Sequence, residues 1–153
     1  WTYRSIEDGD KQFRACDMNE VARYYAASDE VTAFLAEYPQ RQDFRKEAGR
    51  NRVFINIWCW EPAWKLRVTE NGRDLPVHRE QTEDPVYTVS YDVPQTHGKK
   101  HRKDYEGRNK AHTLFVVEAS APDTTLEIEV TDSFGKVYRE TMERPKAFCP
   151  MMK

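Results

Sequence analysis

At 153 residues, with 24 Lys and Arg against 26 Asp and Glu and a net charge of −2, the chain has one domain's length and can bury a core without staples. A third of its residues are charged and 12% are aromatic, a balance that excludes a disordered chain and one tuned as a whole to a polyanion. No apolar run approaches the roughly 20 residues that cross a bilayer, nothing at the start reads as a signal peptide, and the opening at Trp1 rather than Met predicts a mature form or a fragment of something longer.

The opening "WTYRSIEDGDKQFRAC" predicts a first hairpin around the turn Glu7-Asp8-Gly9-Asp10, where glycine supplies a positive φ. The period then changes. Val21, Tyr24 and Tyr25, followed by Val31, Phe34, Leu35 and Tyr38, fall at the three-and-four spacing of an apolar helical stripe. Asp17 with Glu20 resembles a capping box, Ser28 and Asp29 are caps for a second helix, and Pro39 ends it. Two short, nearly continuous helices are predicted, then a polar loop from Gln40 to Asn51.

From Val53 the period is two and both faces are apolar: Val53, Ile55, Ile57 and Cys59 on one, Phe54, Trp58 and Trp60 on the other. Such a strand must be covered on both sides, so it is expected at the centre of a sheet, with a second sheet over one face and helix or loop over the other. After the Glu61-Pro62 break, Trp64, Leu66 and Val68 alternate with polar residues. Asn71-Gly72 then predicts a hairpin that brings Pro76 to Arg79 back against that strand. Further strands are expected at Val86 to Tyr91, at Leu114 to Ala119 and through Leu126, Ile128 and Val130, with a closing hairpin at Gly135. The result is a mainly β fold: an antiparallel two-sheet, Ig-like sandwich of about eight short strands with one or two short helices inserted after the first hairpin. It is read as a single domain over 1–153, a hairpin and helical segment over 1–50 preceding a sandwich core over 51–153.

Trp58, Trp60 and Trp64 suit either a stacking platform for sugar rings or the payload of a core. The aliphatic neighbours on the same strand favour the core, with Trp64 expected to show most at the surface. Cys59 among them reads as an inert buried thiol, because an apolar strand offers no cation or helix N-terminus to lower its pKa. Cys16, Cys59 and Cys149 are an odd set without C-x-x-C spacing; at most one bridge can form, and whether Cys16 meets Cys149 is open.

The most polarised stretch, "QTHGKKHRKDYEGRNKAH", carries Lys99, Lys100, Arg102, Lys103, Arg108 and Lys110 against Asp104 and Glu106. A solvated surface loop is the first reading, and an anion-contacting one the second. A metal site using His97, His101 and His112 would need a rigid element to fix their spacing, which this stretch does not offer. There is no nucleophile elbow, phosphate-cradling loop, H-E-x-x-H or EF-hand pattern, so no catalytic, cofactor or metal residue is assigned.

Taken in order, "FINIWCWEPAWKLRVTENG", "EDPVYTVSYDVP", "HTLFVVEAS" and "LEIEVTDSFGKVYRETMERPKAF" resemble the C-terminal domain of bacterial secreted calcineurin-like metallophosphoesterases of the Bacteroidetes type. The earlier "KQFRACDMNEVARYY" looks like the stretch that joins that domain to its catalytic neighbour. Family members often carry Asn at the position of Cys59, Asp at Glu61 and Arg at Ser133, and they differ around His112-Thr113, so no role is carried to His112. The resemblance implies a three-part parent: a small N-terminal sandwich, a central domain with a divalent metal pair, and this C-terminal domain. The catalytic signatures Asp-x-His, Gly-Asn-His and Gly-His-x-His do not occur in the sequence.

The expected function is therefore a non-catalytic accessory domain of a secreted, periplasmic or cell-surface phosphoesterase, packed on the catalytic domain and shaping substrate access. Its partner is that domain, not a nucleic acid. The candidate docking or anion-contact surface is Trp64 with Lys99, Lys100, Arg102, Lys103, Arg108 and Lys110. The alternative is an independent carbohydrate-binding module that uses exposed tryptophans.

Overall fold

The computed structural model describes residues 11–96, 110–111 and 114–151. Strand β1 (Phe13–Asp17) runs directly into helices α1 (Met18–Ala27) and α2 (Asp29–Glu37), which are separated by one residue. The Asp17 carboxylate accepts from the Asn19 amide and the Ser28 hydroxyl from the Val31 amide, so each helix start satisfies a donor that would otherwise be orphaned. The polar loop that follows holds a 3₁₀ turn, Phe44–Glu47, which puts Phe44 into the core. The first arm and the turn of the predicted opening hairpin lie outside the described residues; the stretch expected as its second arm contains β1, which pairs with β2.

The remaining strands are β2 (Arg52–Ile57), β3 (Lys65–Glu70), β4 (Arg73–Asp74), β5 (Val77–Arg79), β6 (Thr82–Glu83), β7 (Lys110–Ala111), β8 (Leu114–Glu118), β9 (Leu126–Thr131) and β10 (Val137–Met142). One four-stranded sheet has the order β1-β2-β8-β5, a second has β10-β9-β3-β4, and β6 pairs with β7. Every pairing is antiparallel.

Strand β2 sits at the centre, and its two apolar faces explain a three-layer build. Val53, Ile55 and Ile57 meet Val68, Leu126, Ile128, Val130 and Met142 of the second sheet. Phe54, with Leu114 and Val116 of β8, meets Met18, Val21 and Tyr25 of α1 and Val31, Phe34 and Leu35 of α2. Alternation at Leu126, Ile128 and Val130 likewise buries one face of β9 and leaves Glu127 to solvent.

Three local expectations fail, each for a visible reason. Val86 to Tyr91 is not a strand: the segment over 85–96 is helical, α at Pro85–Tyr87, π at Thr88–Asp92 and α again at Val93–Thr96. Asp84 caps it, accepting from the Val86 amide at 2.8 Å, and Pro85 supplies the preset φ of a first helical residue. Val86, Val89 and Val93 are all buried, a three-and-four spacing that alternation with polar residues had obscured.

Pro76 to Arg79 does not fold back on β3 either. Asn71 (φ +51°) and Gly72 (φ +75°) do make the tight turn, but the returning arm, β4, is two residues long. Beyond Pro76, which has no amide hydrogen to donate to a ladder, the chain crosses to the first sheet, where β5 pairs with β8.

The third failure is the end of β2. It stops at Ile57, and Cys59, at φ +57°, turns the chain away, so Cys59 is exposed rather than buried and Trp58 and Trp60 are half-buried turn residues. No disulfide joins Cys16 to Cys149, and burial, with the Asp84 carboxylate adding to it, pushes the Cys16 thiol up to about 12.

Candidate functional site

The two ends of the sandwich differ in kind. At one end lie the turn from β3 to β4 and the loop from β8 to β9, closed over by residues beyond β10. Arg144 and Asp17, both with fully buried side chains, form an ion pair there at 3.3 Å. Arg144 also donates to the Ala121 carbonyl at 2.8 Å, and the Lys146 amide donates to Asp17. Glu70 accepts from the Ser120 amide and the Thr124 hydroxyl. Burial pushes the Glu70 carboxyl up, but these donors and the nearby Arg144 charge outweigh it and hold the group below its usual range. The buried carboxylates of Asp17 and Glu70 are therefore both engaged by hydrogen-bond donors, and Asp17 also by a cation.

The opposite end is where β1 starts and β2 finishes, since Phe13 pairs with Ile57 and Lys65 with Thr131. Its surface is built by two turns, 58–64 and 132–136. Trp58 is held by Gln12, whose carbonyl accepts from its amide and whose side-chain amide donates to its carbonyl, both at 3.0 Å. Glu61 ties the two turns together: its carboxylate accepts from the Trp64 indole at 3.2 Å and from the Ser133 hydroxyl at 3.1 Å. Asp132 fixes the second turn by accepting from the Phe134 and Lys136 amides, both at 2.9 Å. Phe134, at the tip, is 94% exposed.

Two of the tryptophans carry a cation over the ring. Arg14 lies over Trp58 at 5.9 Å and Arg79 over Trp60 at 4.7 Å, while the Trp60 ring meets Phe115 edge-on. Trp60 and Trp64 both pack against the inter-sheet core. All three are half-buried.

A second buried ionic cluster lies in the helical layer. Arg41 donates to Glu83 at 2.9 Å and to Asp92 at 2.5 Å, and its guanidinium lies 4.9 Å from the centre of the Phe34 ring. Glu83 also accepts from the Gln42 amide and the Thr88 hydroxyl. Burial, only partly opposed by Arg41, raises the Asp92 carboxyl above its ordinary range. This cluster joins β6, the loop after α2 and the π segment, and so fixes the bases from which the basic stretch leaves and returns.

Of the predicted surface, Lys99, Lys100, Arg102, Lys103 and Arg108 fall outside the described residues, as do His97, His101 and His112. Lys110 is in β7, opposite Glu83. A groove of about 510 Å³ runs between Tyr24, Val31, Val89, Val93 and Pro150 on the helical side. The ionic clusters escaped sequence reasoning because their partners are far apart in the chain; Asp17 and Arg144 are separated by 127 positions.

A divalent metal pair requires carboxylates and imidazoles free to converge. Among the described residues no three His, Cys, Asp or Glu side chains are placed to hold a metal ion, and Asp17, Glu70, Glu83 and Asp92 are each engaged by Arg, Thr or backbone amides. Among the described residues the donor set does not fit such a pair. Among the described residues no helix is long and apolar enough to cross a membrane.

Compared with known proteins, residues 1–138 match the family model described as the C terminal of calcineurin-like phosphoesterase. No curated protein and no solved structure matches the chain.

Proposed function

The chain belongs to the family formed by the C-terminal part of calcineurin-like phosphoesterases, and from that premise we propose that it is a non-catalytic accessory domain, packed on the catalytic domain of the same parent and narrowing the approach to its metal pair. The observation that carries this reading is the state of the buried carboxylates, each of which has a structural partner. They brace the sandwich and the helical layer, and among the described residues no buried carboxylate is left without such a partner to hold a metal or move a proton. The two-metal chemistry, clamping the attacking and leaving oxygens of a phosphoryl group, is the work of the parent's catalytic domain.

On this reading the basic residues Lys99, Lys100, Arg102, Lys103, Arg108 and Lys110 raise the local concentration of a phosphorylated substrate, a salt-sensitive steering effect that needs no fixed contact. The parent works outside the cytoplasm, in the periplasm or beyond.

The test is the parent with residues 11–151 removed. The expected result is an unchanged metal content, a lower melting temperature and a higher KM for charged substrates. A truncated parent that keeps both its stability and its kinetics contradicts the proposal.

A further inference from the structure

We propose that Asn71 is a site of covalent self-modification, in which the Gly72 backbone nitrogen displaces the Asn71 side-chain amide and leaves a mixture of aspartyl and isoaspartyl residues in the turn between β3 and β4. The inference is independent of the accessory-domain reading.

The step needs no enzyme, metal or oxidant. The Gly72 nitrogen attacks Cγ of Asn71, the bond from Cγ to Nδ2 breaks, and the side-chain nitrogen leaves as ammonia with the proton that Gly72 gives up. A cyclic imide results. Water then opens it at either carbonyl: one route gives aspartate, and the other sends the main chain through Cβ and Cγ, which adds a methylene to the backbone.

The environment of Asn71 favours this chemistry over that of the other described asparagines. The residue after it is glycine, both are exposed, and nothing lies within 4 Å of where a Cβ on Gly72 would stand, so the ring has room to form. The other described asparagines are half-buried, precede Glu20, Arg52 and Ile57, and are held by their side chains. Asn19 accepts from the Gly49 and Asn51 amides and donates to the Asn51 side chain, while Asn56 donates to Asp84 at 2.6 Å.

The turn is also easy to open. Ring closure requires Asn71 to leave the left-handed dihedrals of the tight turn, where its φ is +51°. The arm that holds it there, β4, is two exposed residues at the edge of its sheet, and its ladder consists of Thr69 opposite Asp74 and Glu70 opposite Arg73. The ion pair from Arg67 to Asp74 is on the surface and adds little. Such an edge lies at the low end of the range of local opening free energies. The fold survives the change, because β3 stays paired with β9 from Lys65 to Glu70, but a lengthened turn cannot keep Glu70 opposite Arg73.

The experiment is ageing of the whole chain at pH 7.5 in heavy-oxygen water, folded and in urea, followed by peptide mapping that separates aspartyl from isoaspartyl products. In the folded chain Asn71 should take up heavy oxygen, give both products, and react about tenfold or more faster than Asn19, Asn51 or Asn56, each of which must first break at least one hydrogen bond. A Gly72→Asp variant, whose new residue tolerates positive φ but crowds the attacking nitrogen, should slow the reaction. The purified isoaspartyl form should exchange its amides faster over 73–75 and keep those of β9.

Conversion of Asn71 in urea but not in the folded chain would show that the turn withholds the side chain, and would overturn the proposal. Aspartate without the isoaspartyl product, or a rate unchanged in Gly72→Asp, would assign the loss to direct hydrolysis by water and overturn it as well. So would a folded chain in which Asn71 reacts no faster than the bonded asparagines.

Discussion

Arg144→Ala is expected to cost roughly 3–5 kcal/mol of folding stability, the usual consequence of removing one partner of a buried ion pair. The reason is what stays behind. Asp17 would keep its carboxylate fully buried with only the Asn19 and Lys146 amides as donors, and the Ala121 carbonyl would lose its 2.8 Å bond. A globular domain holds about 5–15 kcal/mol in all, so the variant would sit near the edge of folding. Urea denaturation of Arg144→Ala, Asp17→Asn and the pair Asp17→Asn with Arg144→Met checks the account. The double variant should recover much of the loss, because it removes both charges together; equal losses in all three would show that the pair is not the source. The same bond makes residues beyond the matched span 1–138 part of the fold, since Met142 and Arg144 are both buried.

Removing Arg41 should be nearly as severe, about 3–5 kcal/mol for Arg41→Ala at neutral pH, and the loss should depend on pH in a defined direction. Glu83 and Asp92 would then be buried beside each other with no cation between them. Burial already raises Asp92, and removing the Arg41 charge that opposes burial should raise that carboxyl further above its unfolded value. A group raised in the folded state contributes most below its unfolded pKa and loses that contribution as pH rises through the folded pKa. The gap between wild type and Arg41→Ala should therefore narrow from pH 7.5 toward pH 4.5. Urea midpoints at the two pH values measure it, and an equal gap at both would contradict the assignment.

How far the sequence could be read depended on the range of the signal. The caps at Asp17 and Ser28, the stripe from Val21 to Leu35 and the faces of Val53, Phe54, Ile55 and Ile57 are set by neighbours a few residues away, and all were legible. The segment from Val86 to Tyr91 misled because β-branched and aromatic residues alternate there; Asp84-Pro85 was the available clue, a side-chain cap followed by a residue preset for a first helical turn. Cys59 misled for the reverse reason, since nothing in "INIWCW" announces the positive φ at which β2 ends. The end built by turns 58–64 and 132–136 was half legible: Trp64 came forward, but Phe134 is in a separate hairpin, brought beside the first turn by the pairing of Lys65 with Thr131 and the bond from Ser133 to Glu61.

The central claim is that this domain carries no chemistry of its own. Its most direct test is hydrolysis of a chromogenic phosphodiester and a phosphomonoester by the chain alone, with and without Mn²⁺ or Zn²⁺, alongside its metal content as purified. The account predicts a metal-free protein with no metal-dependent turnover. Metal-dependent hydrolysis that is lost on replacing His97, His101 or His112 would contradict it.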